Sequence, residues 1–274
     1  MLLSVPEPYD FALSTARFRI FGLDPATLWH VSDGCGGLHR VVDGREVRIE
    51  AAPGGVTVEP CDEAIATEIA TLLGLRFDLA GFATWSRGEP VLDRLERALA
   101  GFRPPLAPHA FEALVTSITA QQVSLQSAFA IRGRFVERFG VRCERAYAFP
   151  TPEQVAASHE DELFALGFSR RKAEYVLGLA RTPIDFDGLD RRPDAEITER
   201  LTSIRGLGEW TADWYLARHL GRPHAWPAGD LALRKAVRIF YGPVEDVRGF
   251  GATLHPFQNL SAHYLLAGLR LPPQ

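Results

Sequence analysis

Lysine is almost missing from this chain. Of 30 basic residues, only Lys172 and Lys235 are lysines; the others are arginines. Covalent chemistry through a side-chain amine therefore has two candidate positions. Cysteine is also scarce: Cys35, Cys61 and Cys143 are scattered and odd in number. That argues against a disulfide framework and suits a reducing cytoplasm. No C-x-x-C pair occurs, so thiolates can build neither a zinc site nor a four-cysteine iron–sulfur cluster. The opening MLLSVPEPYDF has no basic n-region, and long apolar runs are lacking. Neither a signal peptide nor a membrane span is expected.

What is present is an ordinary globular balance, 46% apolar and 23% charged over 274 residues, long enough for about two domains. The net charge of −4 speaks against nucleic acid at face value, but the distribution is uneven. Residues 1–100 hold 9 Lys+Arg against 15 Asp+Glu, while residues 101–148 hold six arginines against three glutamates. The acidity sits in the first third, and the rest can meet a phosphate backbone locally.

Residues 28–60, LWHVSDGCGGLHRVVDGREVRIEAAPGGVTVEP, alternate apolar and polar residues around turn signals. Asp43-Gly44 between HRVV and REVRIE is a two-residue hairpin cue, and Gly54-Gly55 marks the next turn. A helix follows at CDEAIATEIATLLG and stops at Gly74. From about residue 90 the period becomes helical, with Leu92, Leu95 and Leu99 on one stripe and Phe111, Leu114, Val115 and Ile118 on another. Thr151-Pro152-Glu153-Gln154 reads as a capping box with proline at the first helical position. Further helices are expected near 160–166, 170–181, 194–204, 209–220, 231–241 and 258–269. The expected fold is mainly α with an N-terminal α+β domain. An antiparallel sheet layer at 1–95 precedes a two-lobed, all-helical core at 96–274.

Within that core, IRGLGEWTADW at 204–214 places Gly206 and Gly208 between two helical segments. Unpaired N–H groups at the start of the second helix, kept clear of side chains by glycine, make an anion site suited to a DNA phosphate. A plain helix–helix turn is the alternative. Asp230, in AWPAGDLALRKAVRIFYG, stands where the next helix begins. It can simply cap that helix. It can also offer a fixed carboxylate where the helix favours negative charge.

IRGLGEWTAD followed by WPAGDLALRKA resembles the helix-hairpin-helix (HhH-GPD) DNA glycosylase superfamily. FEALVTSITAQQVS resembles its helix entering the DNA wedge. PYDFALSTARFRIFGLDP resembles the extra mixed domain of its 3-methyladenine DNA glycosylase II type. The four segments occur in the family's order over most of the chain. The resemblance implies base excision repair, in which alkylated bases are flipped out of double-stranded DNA and hydrolysed from the sugar. Asp230 would stabilise the oxocarbenium-like state and orient water, at a hairpin spanning 202–214 and a catalytic loop at 225–231.

The resemblance also places Trp210 and Trp214 on the base pocket, where aromatic faces hold a cationic base; core tryptophans are the alternative. Phe257 and Leu231 stand where the family often has Trp and Tyr, so a more open pocket is expected. Gln122 is implied as the wedge, beside Gln121, with a solvated helix end as the alternative. Gly206, Leu207, Gly208 and Thr211 are implied at the DNA backbone. Backbone carbonyls of Thr202, Ile204 and Leu207 are implied to hold a monovalent cation, Na+ or K+, and no other cofactor is expected. Lyase members carry a lysine two residues after the second hairpin glycine, where this chain has Trp210, so no strand cleavage is expected. No acidic partner suggests a catalytic metal, and His219 and His224 read as surface histidines. A monomer is expected. Three rivals stay open: a non-catalytic DNA clamp, a glycosylase for another damaged base, and a structural protein using the turn only for packing.

Overall fold

The computed structural model describes residues 1–32 and 35–271. Asp33 and Gly34, inside the expected strand region, and residues 272–274, inside the expected second domain, lie outside the described residues. The chain opens with β1 (Leu2–Ser4), α1 (Phe11–Ser14) and α2 (Arg17–Ile20). Next come β2 (Thr27–Ser32), β3 (Cys35–Val42), β4 (Arg45–Ala52), β5 (Gly55–Glu59) and α3 (Glu63–Leu72). Helices α4 (Leu79–Ser86), α5 (Pro90–Ala98), α6 (Ala110–Ala120), α7 (Leu125–Phe139), α8 (Pro152–Ala156) and α9 (Glu160–Ala165) follow. Then come α10 (Arg170–Arg181), α11 (Phe186–Asp190), α12 (Asp194–Thr202), α13 (Glu209–Arg218), α14 (Leu231–Tyr241), α15 (Val247–Thr253) and α16 (Gln258–Gly268).

The sheet is antiparallel in the order β1-β5-β4-β3-β2. Its register follows from the turn chemistry. Val42 pairs with Arg45 across Asp43 (φ 48) and Gly44 (φ 73), the double positive φ that an Asp-Gly hairpin loop supplies. Leu38, Val42, Val47, Ile49, Val56 and Val58 then share the face that packs on Ile65, Ile69 and Leu72 of α3. Helix α3 is capped by Asp62 and followed by Gly74 at φ 68. The capping box at Thr151 is present with both of its hydrogen bonds.

Three apolar clusters divide the chain. One belongs to the sheet, its α3 cover and Phe11 and Phe18 of the opening helices. A second gathers the helical lobe from α6 to α13. The third joins α4 and α5 to α14, α15 and α16. The boundary expected at residue 95 therefore falls inside α5. The clusters put the seam near residue 75, because Phe82, Leu92 and Leu95 are buried against Leu233, Val237 and Leu265 and not against the sheet. The two lobes are tied together by Asn259 of α16, whose Nδ2 donates to the carbonyls of Ala217 at 3.0 Å and Arg222 at 2.9 Å. The sequence reading has no helix for residues 125–139, yet α7 fills them. Ser124 caps it, and Ala128, Phe129, Ile131, Phe135 and Val136 are buried along it. Among the described residues no helix is long and apolar enough to cross a membrane.

Candidate active site

The site lies where the lobes meet. Helix α13 belongs to the α6–α13 lobe, α14 belongs to the third cluster, and Asp230 caps α14 with its Oδ1 accepting from the Leu233 N–H at 2.9 Å. Its Oδ2 accepts from the indole N–H groups of both Trp210 and Trp214, each at 2.9 Å. Trp210 and Trp214 are four residues apart on α13 and so lie on one face. Capping α14 therefore uses only one of the two oxygens of Asp230. Three N–H donors grip a group that, when ionised, only accepts, leaving a half-buried carboxylate fixed at a lobe seam.

Trp214 is only 6% exposed and belongs to the core of the first lobe. Its role in the free protein is to orient the carboxylate, as its N–H does, while Trp210 keeps exposed surface beside it. The other two expected pocket residues are Phe257 and Leu231. Phe257 packs at 5.7 Å on Phe82 and 5.5 Å on Trp85, ring centre to ring centre, because α4 folds against the start of α16. Leu231 is 80% exposed at the first turn of α14 and forms no wall in the free protein.

The hairpin separates the duties of its two glycines. Gly206 has φ 94, and a Cβ there would collide with the Tyr175 ring of α10. Gly208 has an extended backbone, caps α13, and has nothing within 4 Å of where a Cβ would stand. The fold itself therefore requires Gly206, while the bare surface at Gly208 leaves the first N–H groups of α13 open to an approaching anion. Gly206→Ala is expected to lower the melting temperature sharply. Gly208→Ala is expected to keep it within about 1–2 °C, since that backbone suits alanine, while weakening affinity for duplex DNA. Thermal melts and fluorescence anisotropy on the two variants check this; equal melting losses would remove the distinction. Leu207 and Thr211, implied at the DNA backbone, carry buried side chains, so only their backbone can serve there.

Gln121 donates from Nε2 to the Gly206 carbonyl at 3.0 Å, tying the α6–α7 loop to the hairpin. Gln122, next along, is exposed and held at φ 55. Lys172 is buried and donates to the Thr119 carbonyl at 2.9 Å, closing the C-terminal end of α6; burial lowers its pKa. Lys235 is exposed on α14. His219, expected at the surface, is buried between the Ala107 carbonyl at 2.7 Å and Asp190 at 2.9 Å. It sits one turn past Tyr215, whose hydroxyl donates to the same carboxylate. His224 is exposed against Asp194. Among the described residues no cluster of His, Cys, Asp or Glu could hold a metal ion.

Sequence reasoning missed a third member of the α13 stripe. Arg218, four residues beyond Trp214, lays its guanidinium over the Trp214 ring at 3.8 Å. Among the described residues its Nε is buried without a hydrogen-bond partner. Burial pushes it down to about 9, with repulsion from Arg17 and Arg270 and an opposing pull from Asp230. Burial and neighbouring Arg132 push Arg17 of α2 down to about 10. His263 of α16, 6% exposed, stands 6.1 Å from the Trp214 ring with its Nε2 unpartnered. Burial, then Arg218 and Arg17, hold its pKa well below the usual histidine range. The signal available in sequence was the i, i+4, i+8 spacing of Trp210, Trp214 and Arg218.

The family model for the HhH-GPD superfamily of base excision DNA repair proteins matches residues 115–247. A DNA-3-methyladenine glycosylase of Bacillus subtilis is 30% identical over 65% of this chain and 61% of its own length. The chain thus spans under two thirds of that relative. DNA-3-methyladenine glycosylase 1 of Schizosaccharomyces pombe is 30% identical over 63% of this chain and 79% of its own. The solved 3-methyladenine DNA-glycosylase of Archaeoglobus fulgidus superposes with a TM-score of 0.85 at 27% identity, over 97% of each chain. That likeness takes in the sheet as well as both helical lobes, so the mainly α architecture with its N-terminal α+β part is a shared one. This chain belongs to the HhH-GPD superfamily of base excision DNA repair proteins.

Proposed function

We propose that the chain is a monofunctional DNA glycosylase that hydrolyses alkylated bases of the 3-methyladenine type from double-stranded DNA. The observation that carries this is the Asp230 carboxylate, gripped by Leu233, Trp210 and Trp214 one helix away from the open hairpin end at Gly208. The hairpin takes the phosphate backbone, and the α6–α7 loop with exposed Gln122 fills the space left by the flipped nucleotide. As the C1′–N bond loosens, positive charge grows on the sugar, and the fixed carboxylate stabilises it. Water then adds to C1′, oriented by the same group.

The resemblance and the names of the relatives support the alkylated base class. Water as nucleophile is supported by the amines. Trp210 stands at the lyase lysine's position and bonds Asp230, Lys172 is committed to the Thr119 carbonyl, and Lys235 is out on α14. Among the described residues the carbonyls of Thr202 and Leu207 accept no backbone hydrogen bond across the turn, and that of Ile204 takes one from Leu207. This donor set fits a monovalent cation, which would supply positive charge between the hairpin and a phosphate. The chain acts as a monomer in the cytoplasm on this reading.

The test is release of free bases from methylated duplex DNA, resolved by chromatography. Release of 3-methyladenine or 7-methylguanine is expected, with no adduct trapped by borohydride. Tight DNA binding without release would replace the enzyme with a clamp, and a trapped adduct would overturn the role of water.

A further inference from the structure

In the free protein the Arg218 guanidinium stacks on Trp214 and makes no side-chain hydrogen bond among the described residues. Among the described residues no carboxylate or carbonyl accepts from it, although it is hemmed in by protein and its Nε is buried. A buried N–H without an acceptor is costly. Yet the residue keeps some accessible surface. Its position is fixed by the stack on Trp214, whose N–H holds Asp230. Beside it, His263 leaves Nε2 unpartnered. Arg17 of α2 and Arg270, beyond α16, add like charge that repels it. Arg270 lies 4.9 Å over the Phe21 ring, and Phe21 packs at 5.6 Å on Phe129 of α7. Positive charge and unused hydrogen-bonding groups therefore gather on the Trp214 ring, whose N–H holds the Asp230 carboxylate.

Resting on the glycosylase reading, we propose that Arg218, with His263 beside it, determines base specificity by donating to acceptor atoms of the flipped base. The class of base that gains from it, beside the 3-methyladenine type, is a neutral one that presents a carbonyl oxygen and an unprotonated ring nitrogen on one edge. A guanidinium fork matches such an edge bidentately, as it matches guanine O6 and N7. A base carrying fixed positive charge is repelled from the same place.

The pairing also serves the chemistry. When the C1′–N bond breaks, its electron pair leaves with the base. A cationic base departs neutral and needs no help. A neutral base departs with negative charge, which spreads onto its carbonyl oxygen, where Arg218 donates. Water supplies hydroxyl to C1′, and its proton, passed through Asp230, ends on the departed base. The products are the free base and an abasic sugar.

The measurement is single-turnover release from duplexes carrying hypoxanthine and from duplexes methylated to contain 3-methyladenine, for the native chain and Arg218→Met. Methionine keeps an unbranched side chain on Trp214 and cannot donate. Native protein is expected to release both bases, and the hypoxanthine-to-3-methyladenine rate ratio is expected to fall at least tenfold in the variant. Arg218→Lys, with a point charge in place of the fork, is expected to fall between them, and it carries the test should methionine prevent folding. If both rates drop together and the salt slope of DNA binding falls by about one, Arg218 holds a phosphate and the proposal is wrong. Native release of 3-methyladenine without hypoxanthine also overturns it, leaving the glycosylase reading standing. Binding with release of neither base overturns both.

Discussion

Asp230→Asn is expected to cut base release by about two to three orders of magnitude, the scale of losing one preorganised electrostatic group, while duplex binding stays within a few fold. The swap changes more than charge. Asp230 uses both oxygens, one on Leu233 and the other on two indoles. Asparagine has one oxygen. If it faces Leu233, as a good cap would, the amide N–H2 points at the Trp210 and Trp214 N–H groups. If it faces the indoles, α14 loses its cap. Either way donor meets donor. Trp210→Phe separates the two effects, since it removes one donor and leaves the carboxylate charged. A loss of roughly tenfold is expected there, in keeping with one hydrogen bond to a charged group at about 1.5–3 kcal/mol. Single-turnover release from methylated duplex, read beside anisotropy titrations, distinguishes these. Full activity of Asp230→Asn would end the proposed mechanism.

The parts of this site that the sequence displays are the ones written in local signals. Gly206 and Gly208 mark the hairpin because one needs a positive φ and the other an empty surface. Asp230 marks the start of α14 because a cap precedes its apolar stripe. The Asp43-Gly44 loop fixes the β3–β4 register for the same reason. What stays hidden depends on meetings across the chain. Arg17, Arg218 and Arg270 are spread over more than 250 residues, on α2 beside the sheet, on α13 and beyond α16, and only the folded chain brings their charges near one another. Phe257 is aromatic at the family position, yet α4 claims it. The seam near residue 75 is hidden because α4 and α5 follow the sheet in sequence but pack with the C-terminal helices. One distant feature did leave a trace. Strand alternation puts Arg40 between Leu38 and Val42 on the core-facing side, a charged residue where the pattern demands an apolar one. Such a residue has to be paired.

Its pairing predicts the second large effect. Arg40 donates from Nε to Glu68 of α3 at 2.6 Å and from a terminal nitrogen to Glu112 of α6 at 2.8 Å. The other oxygen of Glu112 accepts from Arg132 of α7 at 2.6 Å, and Arg132 also pairs with Asp24. Glu112 is therefore the joint between the sheet and the two helices whose connecting loop carries Gln121 and Gln122. Burial alone would raise its carboxyl, but Arg40 and Arg132 overcome that and hold it down to about 2. Glu112→Gln leaves two buried guanidiniums short of their shared anion, and breaking such a pair from one side costs about 3–5 kcal/mol. For a chain of this size that is a fall of roughly 10 °C in melting temperature. The acid limb of the stability curve carries a second signature. A carboxyl whose folded pKa lies below its unfolded value stabilises fully above the unfolded value, near 4.5, and loses that contribution as pH falls towards 2. The native chain is expected to weaken across that window, and Glu112→Gln to start lower and weaken less steeply there. Urea midpoints at pH 7, 4.5 and 3 decide it. Parallel native and variant curves would mean that the joint contributes no ionised carboxylate to the fold.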